Sequence, residues 1–375
     1  MRKKTTGSGH RINRVRSIHR LAYRAIIPLA LLLSVVVIPL TIGAVAPRLA
    51  PSSASFPGKR TLENPGGEIP RLAQAFAPFR ERLGISRDEN FLYVEGNGLP
   101  DHPMMAGITA WQQQVPIPHD FTGELRFKLP LNPEYLEEPG ELTLMGPIAL
   151  AVNGIPIFDA LTQSGKDAYA GGELDQWGGH CGRADDYHYH IAPKHLEAMV
   201  GEGNPVAFGL DGYPIYCADP PRDKPLDECH GYFDEEGNYR YVGELKPPYV
   251  MSCFRGKADL EDRPSTRGVR PHLPPLRGAE ITAFEGTLAE GFKLTYEING
   301  KESRVDYRTL ESGGIDFTFT DPDGTVRRES HERRFDKGPR PPGDARPPRP
   351  AGEKGKGKGK GGGGKGGKEE GRDPN

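Results

Sequence analysis

The sequence lacks the short motifs that identify many enzyme families. It has no phosphate loop, no dinucleotide fingerprint and no GxSxG nucleophile elbow. None of its four cysteines forms a CxxC pair, which argues against a thioredoxin-like redox site and a zinc ribbon. Lysine and arginine number 49 against 51 acidic residues, and the formal net charge is -2. This balance gives no reason to expect specific nucleic-acid binding.

Acidic residues are also missing from the first 24 positions, which carry several arginines and lysines. An apolar run from Ile26 to Val45 follows, and it is just long enough to span a bilayer. Ala44-Val45-Ala46 has the small-x-small pattern of a signal-peptide cleavage site. Residues 1–46 therefore predict a signal peptide or a signal anchor. The rest of the chain is then expected in the periplasm or at the cell surface, and it is held at the membrane if the segment is not cleaved.

The remaining sequence predicts a mainly β protein followed by a tail. Its expected parts are a linker at 47–88, a main domain at 90–275, a small β module at 276–337 and a disordered Pro/Gly/Lys tail at 338–375. Within the linker, Leu72, Phe76, Phe79 and Leu83 recur at helical spacing and predict a short helix. Lysines alternate with glycines in the tail, which is expected to be a flexible tether, either solvated or bound to an anionic envelope polymer.

The main domain contains an internal repeat. IALAVNGIPIFDA at 148–160 aligns with VAFGLDGYPIYCA at 206–218, and Asn-Gly or Asp-Gly between apolar runs predicts a β-hairpin in each. LDQWGGH at 174–180 then aligns with LDECHGY at 226–232, and YHYH at 187–190 with YRYV at 239–242. From position 174 onward the offset is 52. We expect two copies of one hairpin unit, about 148–196 and 206–256, which share a core.

The two copies keep their tyrosines and differ in their histidines. Tyr187 and Tyr189 have tyrosine counterparts in the second copy. The counterparts of the histidines are not histidine: His180 aligns with Tyr232, His188 with Arg240 and His190 with Val242. Because alternate residues of a strand share a face, the tyrosine face is expected to be structural and the histidine face functional.

These segments resemble the YHYH domain family. The resemblance rests on GNGLPDHP at 96–103, the paired NGIPIF and DGYPIY, YHYHIAP at 187–193 and PPYVMSCFRG at 247–256. Members of this family resemble exported bacterial proteins. The resemblance implies no particular activity. Family members often have a cysteine at the position of Trp177 and a histidine at the position of Tyr232. They also often repeat the tyrosine–histidine motif where this chain has YRYV at 239–242. These departures favour one site in this chain rather than two.

The histidines of the first copy predict a metal site. His188 and His190 lie two apart on a predicted strand, so both imidazoles can reach one ion, and His180 is a third candidate across a Gly-rich turn. His102 is a weaker candidate for a fourth ligand. Asp101 and Asp175 are candidate carboxylates that orient the rings. Three neutral imidazoles suit copper or zinc before iron, although the same histidines can instead hydrogen-bond buried loops.

An exported chain with four cysteines predicts two disulfides. We expect Cys229 to pair with Cys253, because the two flank the YRYV strand, and Cys181 to pair with Cys217, which links the copies. Three functions remain open from the sequence: an envelope protein that binds or senses a metal, a metal-dependent enzyme of unknown substrate, and a structural or adhesive module without metal.

Overall fold

A computed structural model describes residues 71–119, 125–143, 145–162, 164–217, 223–264, 266 and 268–332. Strands dominate this part of the chain, as the sequence predicted, and its two α-helices are short: α1 at Arg71–Ala75 and α2 at Glu197–Val200. The first strands are β1 at Gly84–Arg87, β2 at Phe91–Glu95, β3 at Arg126–Pro130 and β4 at Tyr135–Gly140. The repeat region contains β5 at Pro147–Ala151, β6 at Pro156–Phe158, β7 at Gly179–Cys181, β8 at Tyr187–Tyr189, β9 at Ala207–Gly209, β10 at Pro214–Tyr216, β11 at Gly231–Phe233, β12 at Tyr239–Val242 and β13 at Phe254–Gly256.

An eight-stranded sheet contains both copies of the repeat. Its order is β11-β12-β10-β9-β5-β6-β8-β7. The first copy supplies β5-β6-β8-β7 and the second supplies β9-β10-β12-β11, so the two halves have the same internal order. They join through the antiparallel pair β5–β9, in which Leu150 lies opposite Phe208. The predicted duplication is thus present as one continuous sheet.

The tyrosines shared by the two copies stabilise both halves in the same way. Tyr187 donates a hydrogen bond to Asp175 (2.8 Å), and Tyr239 donates to Asp227 (3.0 Å). All four side chains sit at positions related by the offset of 52. The tyrosine face of the strands therefore carries a structural role that both copies need, because a buried hydroxyl without a partner is costly.

The C-terminal part of the predicted linker, residues 71–88, is folded. Leu72, Phe76, Phe79 and Leu83 are all buried in the core, but they do not form one helix. Helix α1 ends at Ala75, a 3₁₀ turn covers Ala77–Phe79, and β1 then pairs with β2. The linker prediction is wrong for residues 71–88. The apolar side chains of this segment are buried in the core, and tertiary packing of this kind stabilises short elements that are too short to be stable alone.

The C-terminal module is a five-stranded antiparallel sheet. Its strands follow chain order: β14 at Ala279–Thr287, β15 at Gly291–Ile298, β16 at Lys301–Thr309, β17 at Ile315–Thr320 and β18 at Val326–His331. One face packs against the segment that precedes β3: Tyr307 donates a hydrogen bond to the carbonyl of Pro116, and Ile281 bonds Ile108 through the backbone. The module therefore shares a core with the repeat region.

One predicted disulfide is confirmed and the other is wrong. Cys229 is bonded to Cys253, whereas Cys181 and Cys217 are free and buried. Cys181 lies on β7, at one edge of the large sheet, and Cys217 follows β10, five strands away. Neighbouring strands lie about 4.8 Å apart, so the two thiols are far beyond disulfide reach.

The predicted signal segment at 1–46 and the tail at 338–375 lie outside the described residues. Within the described ranges, no helix has both the length and the apolar character needed to cross a membrane.

Candidate metal centre

Strands β7 and β8 bring the three predicted histidines together. His180 lies directly opposite His188 in the antiparallel ladder, and His190 follows β8 on the same face. One ligand nitrogen from each of the three rings lies within 4.8 Å of the others. We call His180, His188 and His190 the imidazole triad.

The backbone orients two rings of the imidazole triad. Nδ1 of His188 lies 3.0 Å from the carbonyl oxygen of Asp186, and Nδ1 of His190 contacts the carbonyl oxygen of Asp159. A carbonyl only accepts, so each Nδ1 carries the ring proton and each Nε2 keeps a free lone pair. Nε2 of His190 is 3.0 Å from Nε2 of His180. Two nitrogens bound to one tetrahedral ion, each at about 2.0–2.1 Å, lie about 3.3 Å apart, so His180 and His190 are already close to the spacing that an ion requires.

The imidazole triad lies at the edge of the core and is mostly buried. His188 stacks on Phe158 with a centroid separation of 3.8 Å. His188 is 3% exposed, whereas the side chain of His180, on the edge strand β7, is 12% exposed. Solvent therefore reaches the group from the His180 side.

Burial keeps the three rings neutral. It lowers the pKa of His190 to about 4. For His180 and His188, burial first and the neighbouring imidazoles second hold the pKa well below the usual value. Neutral imidazole is the form that binds a metal, so at neutral pH no proton has to be removed from the rings.

A carboxylate near the imidazole triad was not found from the sequence. Oε2 of Glu173 lies 4.0 Å from Nδ1 of His180, and Gln112 donates a 2.7 Å hydrogen bond to the same oxygen. Glu173 lies just before the segment that aligns at the offset of 52, so the comparison of the two copies did not single it out.

The matching place in the second copy holds a permanent cation. Tyr232 lies opposite Arg240 in the ladder, and the guanidinium of Arg240 lies over Tyr216 at 4.6 Å and pairs with Asp234. Tyr216 is the counterpart of Phe158 in the repeat. The aromatic residue under the site is thus kept in both copies, while the group above it changes from imidazole to guanidinium.

His102 does not lie in the imidazole triad. Its Nε2 is 2.6 Å from the hydroxyl of Tyr189, on the tyrosine face of β8, and its ring stacks on Trp177. His195 contacts the same hydroxyl at 3.4 Å. The prediction of His102 as a fourth ligand is wrong, because successive residues of a strand point to opposite faces and His102 packs on the face opposite the triad.

The two predicted orienting carboxylates are engaged elsewhere. Asp175 accepts hydrogen bonds from Tyr187 and from the backbone N–H groups of Met105, Trp177 and Gly179. It therefore holds the turn before β7, not an imidazole. Asp101 is adjacent to His102 in the sequence and interacts with Arg82, so it belongs to the tyrosine face as well. Glu173 lies closer to the imidazole triad, but at 4.0 Å from Nδ1 of His180 its carboxylate is beyond hydrogen-bond distance.

The fold and the site together define a mainly β, internally duplicated protein with one imidazole cluster capable of holding a metal ion. The family model described as YHYH protein matches residues 126–224, which confirms the resemblance over that stretch. The match includes β3 to β10 and all three histidines of the imidazole triad. No curated protein and no solved structure matches the chain significantly.

Proposed function

We propose that this chain is an exported envelope protein that binds or senses one divalent transition metal, copper or zinc, through His180, His188 and His190. The observation that carries the proposal is the convergence of three neutral ring nitrogens within 4.8 Å. Three imidazole ligands suit zinc and copper, and they leave one tetrahedral position for water or another ligand.

The carbonyl contacts of His188 and His190 support the proposal. Metal-binding histidines almost always donate their second ring nitrogen to a carbonyl, carboxylate or water, which fixes the ring. Both Nδ1 atoms have such an acceptor without any ion present. The two side chains therefore lose little conformational entropy when an ion binds, which favours tight binding.

The second copy provides independent support. Arg240 places a positive charge over Tyr216 at the position that corresponds to the imidazole triad. Both copies therefore favour a cation at this place on the sheet. The first copy replaces the fixed guanidinium with three neutral ligands, and an external cation completes the same arrangement.

Export is supported by the disulfide and by the N-terminal sequence. A Cys229–Cys253 disulfide is typical of proteins outside the reducing cytosol. The basic, apolar segment at 1–46 is the expected export signal. N-terminal sequencing of the protein from a bacterial envelope fraction tests this part, and a mature protein that begins at Met1 in the cytosol refutes it.

Metal analysis tests the binding site. The purified full chain is offered copper, zinc and iron separately at neutral pH, dialysed, and analysed for bound metal. We expect one equivalent of copper or zinc in the wild-type protein and none in His188→Ala. Arg240→Ala is the matched control from the second copy and should keep one equivalent. A folded wild-type protein that retains none of the three metals refutes the proposal.

A further inference from the structure

A cleft opens beside the edge strand of the second copy. It lies between β11 and the strand pair β4–β13, and its volume of about 380 Å³ is within the usual range for ligand pockets. Tyr135 and Phe233 line its two sides with their ring centroids 5.2 Å apart. The buried ring of Tyr239 contacts both of them and forms the floor. We call this space, lined by Tyr135, Phe233 and Tyr239, the aromatic cleft.

The repeat shows that the fold does not require an exposed aromatic residue here. Phe233 is 44% exposed, whereas its counterpart in the first copy, Cys181, is buried at the same place on its strand. The Cys229–Cys253 disulfide joins the turn before β11 to the residue before β13, and so fixes the spacing of the two sides of the cleft. Exposed apolar side chains grouped in this way mark binding surfaces.

Charged groups at the aromatic cleft define the ligand that it can take. Asp223 and Asp227 line it, and the exposed Glu228 adjoins them. The guanidinium of Arg255 is held by Asp227 (3.0 Å) and Glu228 (2.9 Å). Lys224 is the other cation among the lining residues, so three carboxylates face two cations and the cleft is net negative. An apolar ligand that also carries positive charge matches this lining.

The chain contains a segment with the matching chemistry. Residues 339–350, which lie outside the described residues, read PRPPGDARPPRP and contain two Pro-x-x-Pro motifs, at 339–342 and 347–350. Segments of this type bind aromatic-lined grooves, because proline already favours the extended polyproline II conformation and little entropy is lost on binding. The arginines between the prolines can pair with carboxylates.

The last described residues lie near the opposite edge of the large sheet. His331, at the end of β18, packs on Phe317, and the ring of Phe317 lies under the guanidinium of Arg270. Arg270 in turn pairs with Asp185, in the turn between β7 and β8. Strand β7 and strand β11 are the two edges of the eight-stranded sheet, so the cleft is seven strand spacings, or about 34 Å, from this point.

This distance selects the second motif. An extended chain covers about 3.4 Å per residue, so Pro339 can lie at most about 24 Å from residue 332, and Pro347 about 51 Å. The first motif is therefore too close to the folded part to enter the cleft as a whole, whereas the second motif reaches it.

We propose that residues 347–350 bind in the aromatic cleft of the same chain, with the prolines against Tyr135 and Phe233 and with Arg349 facing the acidic side chains. A tethered segment has an effective concentration of about 1 mM, so it fills the cleft in about nine of ten molecules even where the free peptide binds with a dissociation constant of about 0.1 mM. The lysine–glycine repeat that begins at Lys354 then leaves the folded part beside the second copy, away from the imidazole triad. The inference does not depend on metal binding.

Fluorine-19 NMR tests the proposal. Phe233 is replaced by 4-fluorophenylalanine in the full chain, which gives one signal from the side of the cleft. We expect the double variant Pro347→Ala, Pro350→Ala to shift this signal, and a synthetic peptide of residues 345–350, added at about 1 mM, to restore it. The matched control is Pro339→Ala, Pro342→Ala, which changes the first motif and should leave the signal unchanged.

A cleft variant tests the same contact from the folded side. Tyr135→Ala removes one side of the aromatic cleft, and because Tyr135 is 37% exposed the variant should still fold, which its melting temperature checks. We expect it to weaken binding of the peptide about tenfold, a typical loss for an aromatic anchor. Added salt should weaken binding to the unaltered cleft as well, because the charged side chains are exposed.

Each other outcome overturns the proposal. The fluorine signal of the Pro347→Ala, Pro350→Ala variant then stays where it is in the unaltered tail, or Tyr135→Ala binds the peptide as tightly as the parent. A signal that changes on about hundredfold dilution shows that the segment comes from a second chain, since binding within one chain does not depend on concentration. A signal that responds to soluble peptidoglycan fragments and not to the peptide shows a sugar ligand instead.

Discussion

Metal binding should stabilise the folded chain by an amount that depends on the free ion concentration relative to the dissociation constant. An ion that binds only the folded state adds about 2.7 kcal/mol when its free concentration is 100 times the dissociation constant. For a folded unit of 150–250 residues, 1 kcal/mol corresponds to about 2–4 °C in melting temperature. Because the imidazole triad is neutral before binding, little of this free energy is spent on deprotonation. We therefore expect zinc to raise the melting temperature of the wild-type protein by about 5–10 °C.

His190→Ala should abolish this rise. The substitution removes one of the three candidate ligands, along with its contact to Nε2 of His180. The metal-free variant is itself expected to melt at a lower temperature, because a buried ring is lost. The relevant quantity is therefore the difference in melting temperature with and without zinc, measured for each protein by scanning calorimetry.

A control from the second copy separates ligand loss from general destabilisation. Val242 is the buried counterpart of His190, and Val242→Ala removes core volume without touching the imidazole triad. It should lower the melting temperature of the metal-free protein and leave the zinc-dependent rise unchanged. An equal zinc-dependent rise in His190→Ala and the wild type refutes the reasoning.

Three further predictions concern the second copy. Cys229→Ser opens a disulfide that spans 24 residues of sequence, so the free energy of unfolding in urea should fall by about 3 kcal/mol; an unchanged value contradicts this. Burial raises the pKa of Asp211 to about 6, so the folded state binds its proton more tightly, and stability from this group is lost as pH rises from about 4 to about 6. The loss amounts to about 3 kcal/mol at most, and denaturation at several pH values should show it in the wild type and not in Asp211→Asn. Finally, Tyr232→His, Arg240→His and Val242→His together should create a second, weaker zinc site; a folded triple variant that still binds one equivalent contradicts this.

The sequence predicted what depends on strand periodicity and on the repeat. His188 and His190 were expected on one face of a strand because they lie two residues apart, and His180 was expected to fold back across a Gly-rich turn; the structure places His180 in register with His188. The division between a tyrosine face and a histidine face follows from the same alternation. Comparison of the copies was sufficient to choose the three histidines, because the same fold persists in the second copy without them.

Features that depend on the order of strands could not be obtained in this way. The pairing of Cys181 with Cys217 required that the two copies face each other, whereas the sheet places them side by side. His102 was assigned to the wrong face because the irregular segment before β3 has no periodicity from which its path can be inferred. Glu173 precedes β7 and approaches His180 only through the path of a turn, so spacing alone did not identify it.

Duplication explains how this chain can carry an unusual buried cluster without losing its fold. Three buried imidazoles without an ion satisfy one another poorly, because the contact between Nε2 of His180 and Nε2 of His190 can hold at most one hydrogen bond. The second copy avoids this cost with Arg240, whose charge is paired with Asp234 and lies over an aromatic ring. If structure alone selected these residues, the arginine arrangement would serve equally well in the first copy, since the strands and the tyrosine contacts are the same. If the imidazoles bind a cation, as we propose, its binding recovers this cost.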